Sequence, residues 1–360
     1  MSATKIVHLH FGKEGGAERF FVNLAGALRE RGLDQRFVIR PNRSWRSEVA
    51  ACGEVIENHY RRLSLSGLLL TWRVRRLIRA WRPDVIMAWM PRAARLIPND
   101  AHAVKLTRLG DLPRHLRHFR YNDVIVSNAP GVAERCRALG WSRPIRLISN
   151  FPREVTPTAV DRSSLATPKD AFVICGSGRF TTVKGFDVLV RAVAKVPGAW
   201  LWLVGEGEER PLLERLAQDL GVADRTRFTG WVDEPLHYIA AADVVCLPSR
   251  HEVLGNVVLE AWHAGVPAIA TRSPGPSWLI DEGADGLLCD VEDVEGLAAA
   301  INRIRTDRGL AARLAENGRA KLAARFTKDR IVSQYLDLFE SRGGEARVLV
   351  PDLQPQRAAS

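Results

Sequence analysis

The stretch PSRHEVLGNVVLE, residues 248–260, predicts a loop that leads into a helix and carries a glutamate on each side of the junction. The mostly apolar run 243–247 before it is typical of a buried strand, which a Pro-Ser pair ends. A Gly-Asn pair then offers a helix N-cap, and residues 257–264 continue as an apolar helix. We therefore expect Glu252 in the loop and Glu260 one turn inside the helix.

This arrangement predicts a site for a ligand that carries phosphate between two sets of hydroxyl groups. The free N–H groups of Asn256, Val257 and Val258 would lie between the two carboxylates, and a helix N-terminus favours an anion. Carboxylates accept hydrogen bonds from hydroxyl groups. A nucleotide sugar has its groups in this order. A plainer interpretation stays open on these residues alone: Glu252 is a solvated loop residue, and Glu260 complements the helix dipole.

Three further motifs extend the pattern over nearly the whole chain. They are GSGRFTTVKG at residues 176–185, VGEG at 204–207 and HFGKEGGAER at 10–19. Together with the glutamate pair, they resemble the family-four retaining glycosyltransferases of the GT-B fold. The resemblance implies an α/β protein with two doubly wound parallel-sheet, Rossmann-like domains that face a central cleft.

The resemblance also implies roles for individual residues. Arg179 and Lys184, whose cationic groups suit two oxygens of a diphosphate, would bind the donor. Glu252 would face the transferred sugar as an electrostatic and positioning residue, and Glu260 would bind the ribose hydroxyls. We expect Glu252, Arg179 and Lys184 to be the catalytic set. The donor-binding set comprises Gly16, Arg179, Lys184, Gly205, Val232, Glu252, Asn256, Val257, Val258 and Glu260.

The sequence says less about the acceptor side. Gly15 would let the backbone approach the attacking hydroxyl closely. Many members of the family carry a histidine in a Thr-x-His-Gly sequence that faces the donor sugar, whereas Leu109 takes that position here. Arg108 and Asp111 are nearby polar candidates, and no general base is assigned. With acceptor and leaving diphosphate on one face, the diphosphate itself can take the acceptor proton.

Alternating apolar runs and amphipathic stretches predict two parallel sheets joined by the proline-rich stretch 152–170. We expect an acceptor-side domain at residues 1–160 and a nucleotide-sugar-binding domain at 161–325. The resemblance implies that a C-terminal helix at 326–342 crosses back to the first domain, and we expect 343–360 to form a mobile tail. The predicted strands span residues 5–11, 36–40, 85–89, 104–107, 124–127, 145–148, 172–175, 200–204, 227–229, 244–247, 268–270 and 287–289.

Positive charge is concentrated in the first half of the chain. The net charge of the 360 residues is +11, yet residues 1–160 hold 28 Lys and Arg against 13 Asp and Glu, and the remainder is slightly acidic. This asymmetry predicts an anionic partner for the first half: a membrane surface, nucleic acid or an acidic acceptor. Residues 61–82, which are basic, amphipathic and aromatic, and the basic cluster 114–120 could lie on an anionic membrane. Residues 61–82 could equally cover the sheet and expose an arginine face.

Composition excludes several classes of protein. The longest apolar runs are too short for a spanning helix, and the start lacks a secretory signal, so we expect a cytoplasmic protein or one peripheral on the inner face of the cell membrane. The five scattered cysteines predict buried free thiols. With no paired metal-ligand spacing and no Asp-x-Asp triplet, we expect a metal-independent enzyme without a cofactor.

The sequence therefore predicts an enzyme that moves a hexose from a nucleotide-diphosphate sugar to a lipid-linked or cell-envelope saccharide, such as a lipopolysaccharide core or an exopolysaccharide precursor. Its partners would be the donor and either an anionic membrane surface or the lipid-linked acceptor. No nucleic acid is expected, because nucleic-acid-binding motifs are missing. Two alternatives stay open: a GT-B nucleotide-sugar epimerase and a non-catalytic basic binding protein.

Overall fold

The computed structural model describes residues 3–12, 15–60, 64–99 and 101–341. The chain forms two compact units. The first contains the chain up to Ser149 together with the segment that begins at Ile331, and the second spans Asn150–Arg330.

The first unit is built on one parallel sheet. Its strands are β1 (Lys5–His10), β2 (Asp34–Ile39), β3 (Glu54–Glu57), β4 (Val85–Trp89), β5 (Val104–Leu109), β6 (Val124–Ser127) and β7 (Ile145–Leu147). They lie in the order β3-β2-β1-β4-β5-β6-β7. The connecting helices are α1 (Gly16–Glu30), α2 (Arg46–Ala50), α3 (Leu65–Trp81), α4 (Met90–Ala94) and α5 (Pro130–Ala138). Strands β4 and β6 are buried along their length, which is why they are almost entirely apolar without alternation.

The second unit repeats this architecture with six parallel strands. They are β8 (Val173–Ser177), β9 (Trp200–Val204), β10 (Thr226–Gly230), β11 (Val244–Leu247), β12 (Ala268–Thr271) and β13 (Leu287–Cys289), in the order β10-β9-β8-β11-β12-β13. The helices are α6 (Phe186–Ala194), α7 (Arg210–Asp219), α8 (Leu236–Ala240), α9 (Asn256–Ala264), α10 (Pro274–Leu279), α11 (Val294–Thr306), α12 (Arg308–Arg325) and α13 (Lys328–Glu340). In a parallel sheet all carboxyl ends lie at one edge, where ligands bind.

All twelve predicted strands are present, and the five cysteines are buried and free. The pattern does not predict β3, a short edge strand with a glutamate at each end. Among the residues described, no helix is long and apolar enough to cross a membrane.

The boundaries between the two units lie at other residues than expected. Residues 150–160 belong to the second unit, where the backbone N–H groups of Thr158 and Val160 donate to Nδ1 and O of His237, both at 3.2 Å. Helix α13 begins in the second unit, and its residues from Ile331 onward belong to the first unit. The predicted tail 343–360 lies outside the described residues.

Candidate functional site

Helix α9 begins within one residue of its predicted start. Gly255, with φ +93°, is the N-cap, and Asn256 is the first helical residue. The Asn256 side chain accepts a hydrogen bond from Asn150 Nδ2 at 2.7 Å, so it does not cap the helix. The N–H of Val258 donates to the Gly255 carbonyl at 2.9 Å, so the prediction that this group is free is wrong. Asn256 and Val257 present the first N–H groups of the helix.

Lys184 and Glu252 contact each other at the carboxyl edge of the second sheet. The distance from Lys184 Nζ to Glu252 Oε2 is 2.6 Å, and the two side chains are 27% and 17% exposed. Ser249 Oγ donates to the same carboxylate oxygen at 3.4 Å. The two residues were expected on different parts of a donor, and the structure shows that they form an ion pair. An ammonium has three donors, so Lys184 can hold Glu252 and a phosphate oxygen together.

Two glycines lie in close contact with backbone carbonyl groups in the loops that carry these side chains. Gly205 has φ +137°, and a Cβ there would lie 2.0 Å from the carbonyl oxygen of Gly178. Gly185 has φ +65°, and a Cβ there would lie 2.2 Å from the carbonyl oxygen of Pro248. Only glycine fits at either place. Between these contacts the glycine-rich loop extends to Arg179, whose side chain is exposed.

Glu260 is partly buried one turn inside α9, as predicted. The pKa of its carboxyl group is raised to about 7: loss of hydration on burial is the largest cause, the charge of Glu234 adds to it, and the charge of Lys184 opposes both. Glu234 is itself held by Arg153 at 2.9 Å. Two carboxylates and the Lys184 ammonium therefore lie within electrostatic reach of one another.

The end of β10 exposes an aromatic ring. Trp231, directly after this strand, is 69% exposed, so it is not a core residue. Val232 follows it and is partly buried. Phe228 is partly buried, and its ring packs edge to face on Phe180 and lies near the Arg210 guanidinium.

The glycine loop of the first unit leads directly into α1. Gly15 is the N-cap of α1, and Gly16 is its first residue. Glu18, in the first turn, places its carboxylate against the loop, because a Cβ on Gly12 would lie 1.9 Å from Glu18 Oε1. His10 Nδ1 accepts from the Gly12 N–H at 3.2 Å, and burial lowers the pKa of His10 to about 3. His10 is therefore a neutral hydrogen-bonding residue. Lys13 and Glu14, quoted in this motif, lie outside the described residues.

The acceptor-side candidates have very different surroundings. Arg108 is 1% exposed: its guanidinium lies 4.5 Å from the Phe20 ring centroid and 5.3 Å from that of Trp89, and it interacts electrostatically with Tyr335 of α13. An arginine enclosed in this way cannot reach an acceptor, so the prediction of Arg108 as an acceptor-side residue is wrong. Leu109 is completely buried, whereas Asp111 is exposed and its Oδ1 accepts from the Leu112 N–H.

Comparison with known proteins decides the family. The family model for glycosyl transferases group 1 matches residues 158–321, and that for a glycosyl transferase 4-like domain matches residues 15–107. Lipopolysaccharide core biosynthesis glycosyltransferase LpsE of Rhizobium meliloti (strain 1021) is 50% identical over 338 residues, which cover 94% of this chain and 99% of LpsE. The same organism's LpsD is 48% identical over 336 residues, which cover 93% and 98%.

The chain belongs to the group 1 glycosyl transferases. The fold agrees with this assignment, because Anabaena HepE, solved in complex with UDP, superimposes with a TM-score of 0.82 over 94% of this chain and 100% of that chain, at 24% identity. This glycosyltransferase has the two Rossmann-like units of the GT-B fold, as predicted.

Sequence reasoning missed the surroundings of three charged residues of this glycosyltransferase, two in loops and one in the first turn of α1. Glu234 and its partner Arg153 are 81 positions apart, and Glu18 packs against the glycine loop within its own motif. The spacing Gly15-Gly16-Ala17-Glu18 was the available signal for Glu18, because it puts a carboxylate in the first turn of a helix. No local signal pairs Arg153 with Glu234.

Proposed function

We propose that this glycosyltransferase transfers a hexose from a nucleotide-diphosphate sugar to a saccharide of a lipopolysaccharide core, with retention of configuration at the anomeric carbon. The acceptor class is supported by the two Rhizobium relatives, which are similar over almost their whole length. The observation that carries the donor proposal is the contact between Lys184 and Glu252 beside the N-terminus of α9.

In this proposal the diphosphate binds at the start of α9. Positive charge comes from two segments: the N–H groups of Asn256 and Val257 at the start of α9, and the Arg179 guanidinium and Lys184 ammonium in the loop between β8 and α6. Glu252 lies before the helix and Glu260 inside it, about 6 Å along the axis from the helix start at 1.5 Å per residue. The transferred sugar would contact the first carboxylate and the ribose the second.

The reaction requires charge stabilisation on the leaving group. As the bond from the anomeric carbon to the diphosphate oxygen breaks, negative charge develops on that oxygen, and Lys184 and Arg179 stabilise it more strongly than the ground state. The same oxygen can accept the proton of the attacking hydroxyl on the same face of the sugar. This route needs no protein base, in keeping with the enclosed Arg108 and Leu109. We propose that these side chains perform the task without a resident metal.

We also propose that the first unit docks on an anionic membrane through α3. Four large apolar side chains form an exposed stripe at i, i+3, i+4 and i+7: Leu65 (80% exposed), Leu68 (68%), Leu69 (54%) and Trp72 (55%). Arg76 continues this face and lies over the Trp72 ring. The opposite face is buried against the sheet at Leu70, Val74, Leu77 and Ile78. Helix α3 thus covers the sheet and also offers an apolar and basic surface.

The basic cluster 114–120 is only partly exposed. Arg114, Arg117 and Arg120 are exposed, whereas the rings of His115 and His118 pack edge to face and are partly buried. Residues 61–63 of the predicted basic stretch lie outside the described residues.

A donor and acceptor screen tests the function. The purified chain is incubated with UDP-, GDP- and ADP-hexoses, with and without core-truncated lipopolysaccharide, and release of nucleoside diphosphate is followed together with the anomeric signal of the product by NMR. We expect one donor to release nucleoside diphosphate in the presence of the acceptor and to give a product with the donor's anomeric configuration. Inverted product would contradict retention, a new free nucleotide sugar would indicate an epimerase, and no turnover with any donor would contradict the proposed function.

A further inference from the structure

Arg250 uses all five of its side-chain N–H groups to join three segments of the second unit. Its Nη1 and Nη2 donate to the two carboxylate oxygens of Asp187, each at 2.8 Å. Nη1 also donates to the Thr182 carbonyl at 2.6 Å, and Nη2 donates to Glu292 Oε2 at 3.1 Å. Nε donates to the other Glu292 carboxylate oxygen. A guanidinium whose N–H groups are all hydrogen-bonded fixes both the orientation and the position of the groups that it contacts.

The segments that Arg250 joins include the loop that carries Lys184. Thr182 and Lys184 belong to the single turn between β8 and α6, and Asp187 lies in the first turn of α6. Arg250 also donates its backbone N–H to the Val183 carbonyl at 2.8 Å. The Lys184 turn is therefore held at two carbonyl oxygens by one residue.

Arg250 is also two positions before Glu252, so it anchors the other half of the ion pair. Glu292 has φ +68°, a conformation that costs a non-glycine residue free energy and persists only where the surroundings hold it. The guanidinium provides such a constraint. One side chain thus determines where the ammonium of Lys184 and the carboxylate of Glu252 meet.

We propose that Arg250 is a positioning residue for donor binding, which sets Lys184 and Glu252 through the turn 182–185 and does not itself contact the donor. This inference rests on the proposed function. Direct contact with a diphosphate would require Arg250 to give up bonds to two carboxylates. Those bonds lower the pKa of Asp187 and raise that of Arg250, so the pair stays ionised over the whole range in which an enzyme works.

A double-mutant cycle with Lys184 tests the proposal. Arg250→Lys keeps the charge and removes the fork, and Asp187→Asn keeps the shape and removes the ion pair. We expect each to weaken binding of the nucleoside diphosphate product about tenfold and to raise the donor KM, measured by calorimetry and initial rates. In a Lys184→Ala background the same changes should have less than a twofold effect, because residues that act through one another are not additive. The control is Arg272→Lys, since Arg272 pairs with Glu282 and Asp290 instead.

Each outcome bears on a different claim. If Arg250→Lys and Asp187→Asn lower Tm but leave nucleoside diphosphate binding unchanged, Arg250 is only a structural brace and the inference is wrong. If their effect persists fully without the Lys184 side chain, Arg250 acts directly on the donor, which also overturns the inference. Wild-type protein that binds none of UDP, GDP and ADP would contradict the proposed function and remove the basis of this inference with it.

Discussion

At the scale of single residues, Lys184 and Glu252 form an ion pair at the proposed donor site. In the proposed donor arrangement, the phosphate would share Lys184 with a carboxylate, and the sugar would share Glu252 with an ammonium. Glu260 lies near enough for Lys184 to lower its pKa, against the larger effects of burial and Glu234. The three side chains therefore act as one electrostatic group, and changes to one of them alter the others.

Glu260→Gln should change the pH dependence of stability. The pKa of Glu260 is about 7 in the folded protein against an ordinary value of 4.5, so the folded protein holds this proton more tightly than the unfolded chain does. The resulting stabilisation is complete below pH 4.5 and is lost as the pH rises through 7. The difference in unfolding free energy between Glu260→Gln and wild type should therefore shift in favour of the variant from pH 5 to pH 8, by about 3 kcal/mol at most.

Urea unfolding at the two pH values measures this difference. Glu295→Gln is the control, because Glu295 is 76% exposed on α11 in an ion pair with Lys195. Its effect should be nearly the same at pH 5 and pH 8. A Glu260→Gln effect that does not change with pH would show that the carboxyl group is hydrated.

Gly185→Ala should be more destabilising than Gly198→Ala. Both glycines have positive φ, 65° and 76°, so alanine at either position costs about 1 kcal/mol in backbone conformation. Gly198 has open space, whereas a Cβ on Gly185 would collide with the Pro248 carbonyl, and we expect a total loss of about 2 kcal/mol or more there. Denaturant unfolding compares the two variants. Equal losses would mean that the turn 182–185 is not pressed against residue 248.

At the scale of elements, α3 has one buried face and one exposed apolar face. The face that contains Leu70 and Val74 is buried against the sheet, and the face that contains Leu68 and Trp72 is exposed. Substitutions on the exposed face should therefore change association with membranes and leave folding intact.

Leu68→Ser with Trp72→Ser should reduce sedimentation with anionic vesicles by at least fivefold, because each lost apolar contact removes about 1 kcal/mol or more of transfer free energy. Wild-type binding should require anionic lipid and fall as salt is raised, since attraction to basic residues is screened. Leu212→Ser is the control, an equally exposed leucine on α7 of the second unit (66%). Equal binding to neutral and anionic vesicles, or an equal loss with the control, would contradict docking through α3.

At the scale of the whole molecule, the sequence determines the two sheets more clearly than the contacts between their loops. Buried parallel strands are continuous apolar runs, so β4, β9 and β11 are predicted to the residue. The short edge strand β3 has no such signal. The position of Glu260 on α9 follows from helix periodicity, because it depends only on residues near it in the chain.

Contacts between distant residues could not be predicted in this way. Arg108 was a polar candidate near the acceptor, and only the tertiary structure shows that Tyr335 and two aromatic rings enclose it. Arg250 lies in the most informative stretch of the chain, yet its partners are 63 and 42 positions away. Such pairs depend on which loops the sheet order brings together, and no local spacing encodes that order.

The central claim is that Glu252 and Glu260 divide the donor between them, and the most direct test is calorimetry of nucleoside diphosphate binding combined with turnover for Glu252→Gln and Glu260→Gln. Glu260→Gln should weaken the nucleoside diphosphate and the intact donor alike, because both contain the ribose. Glu252→Gln should leave nucleoside diphosphate affinity equal or slightly higher, since Lys184 is freed from its ion pair, while kcat falls. The opposite result, with Glu252→Gln abolishing nucleoside diphosphate binding and Glu260→Gln sparing it, would contradict the account.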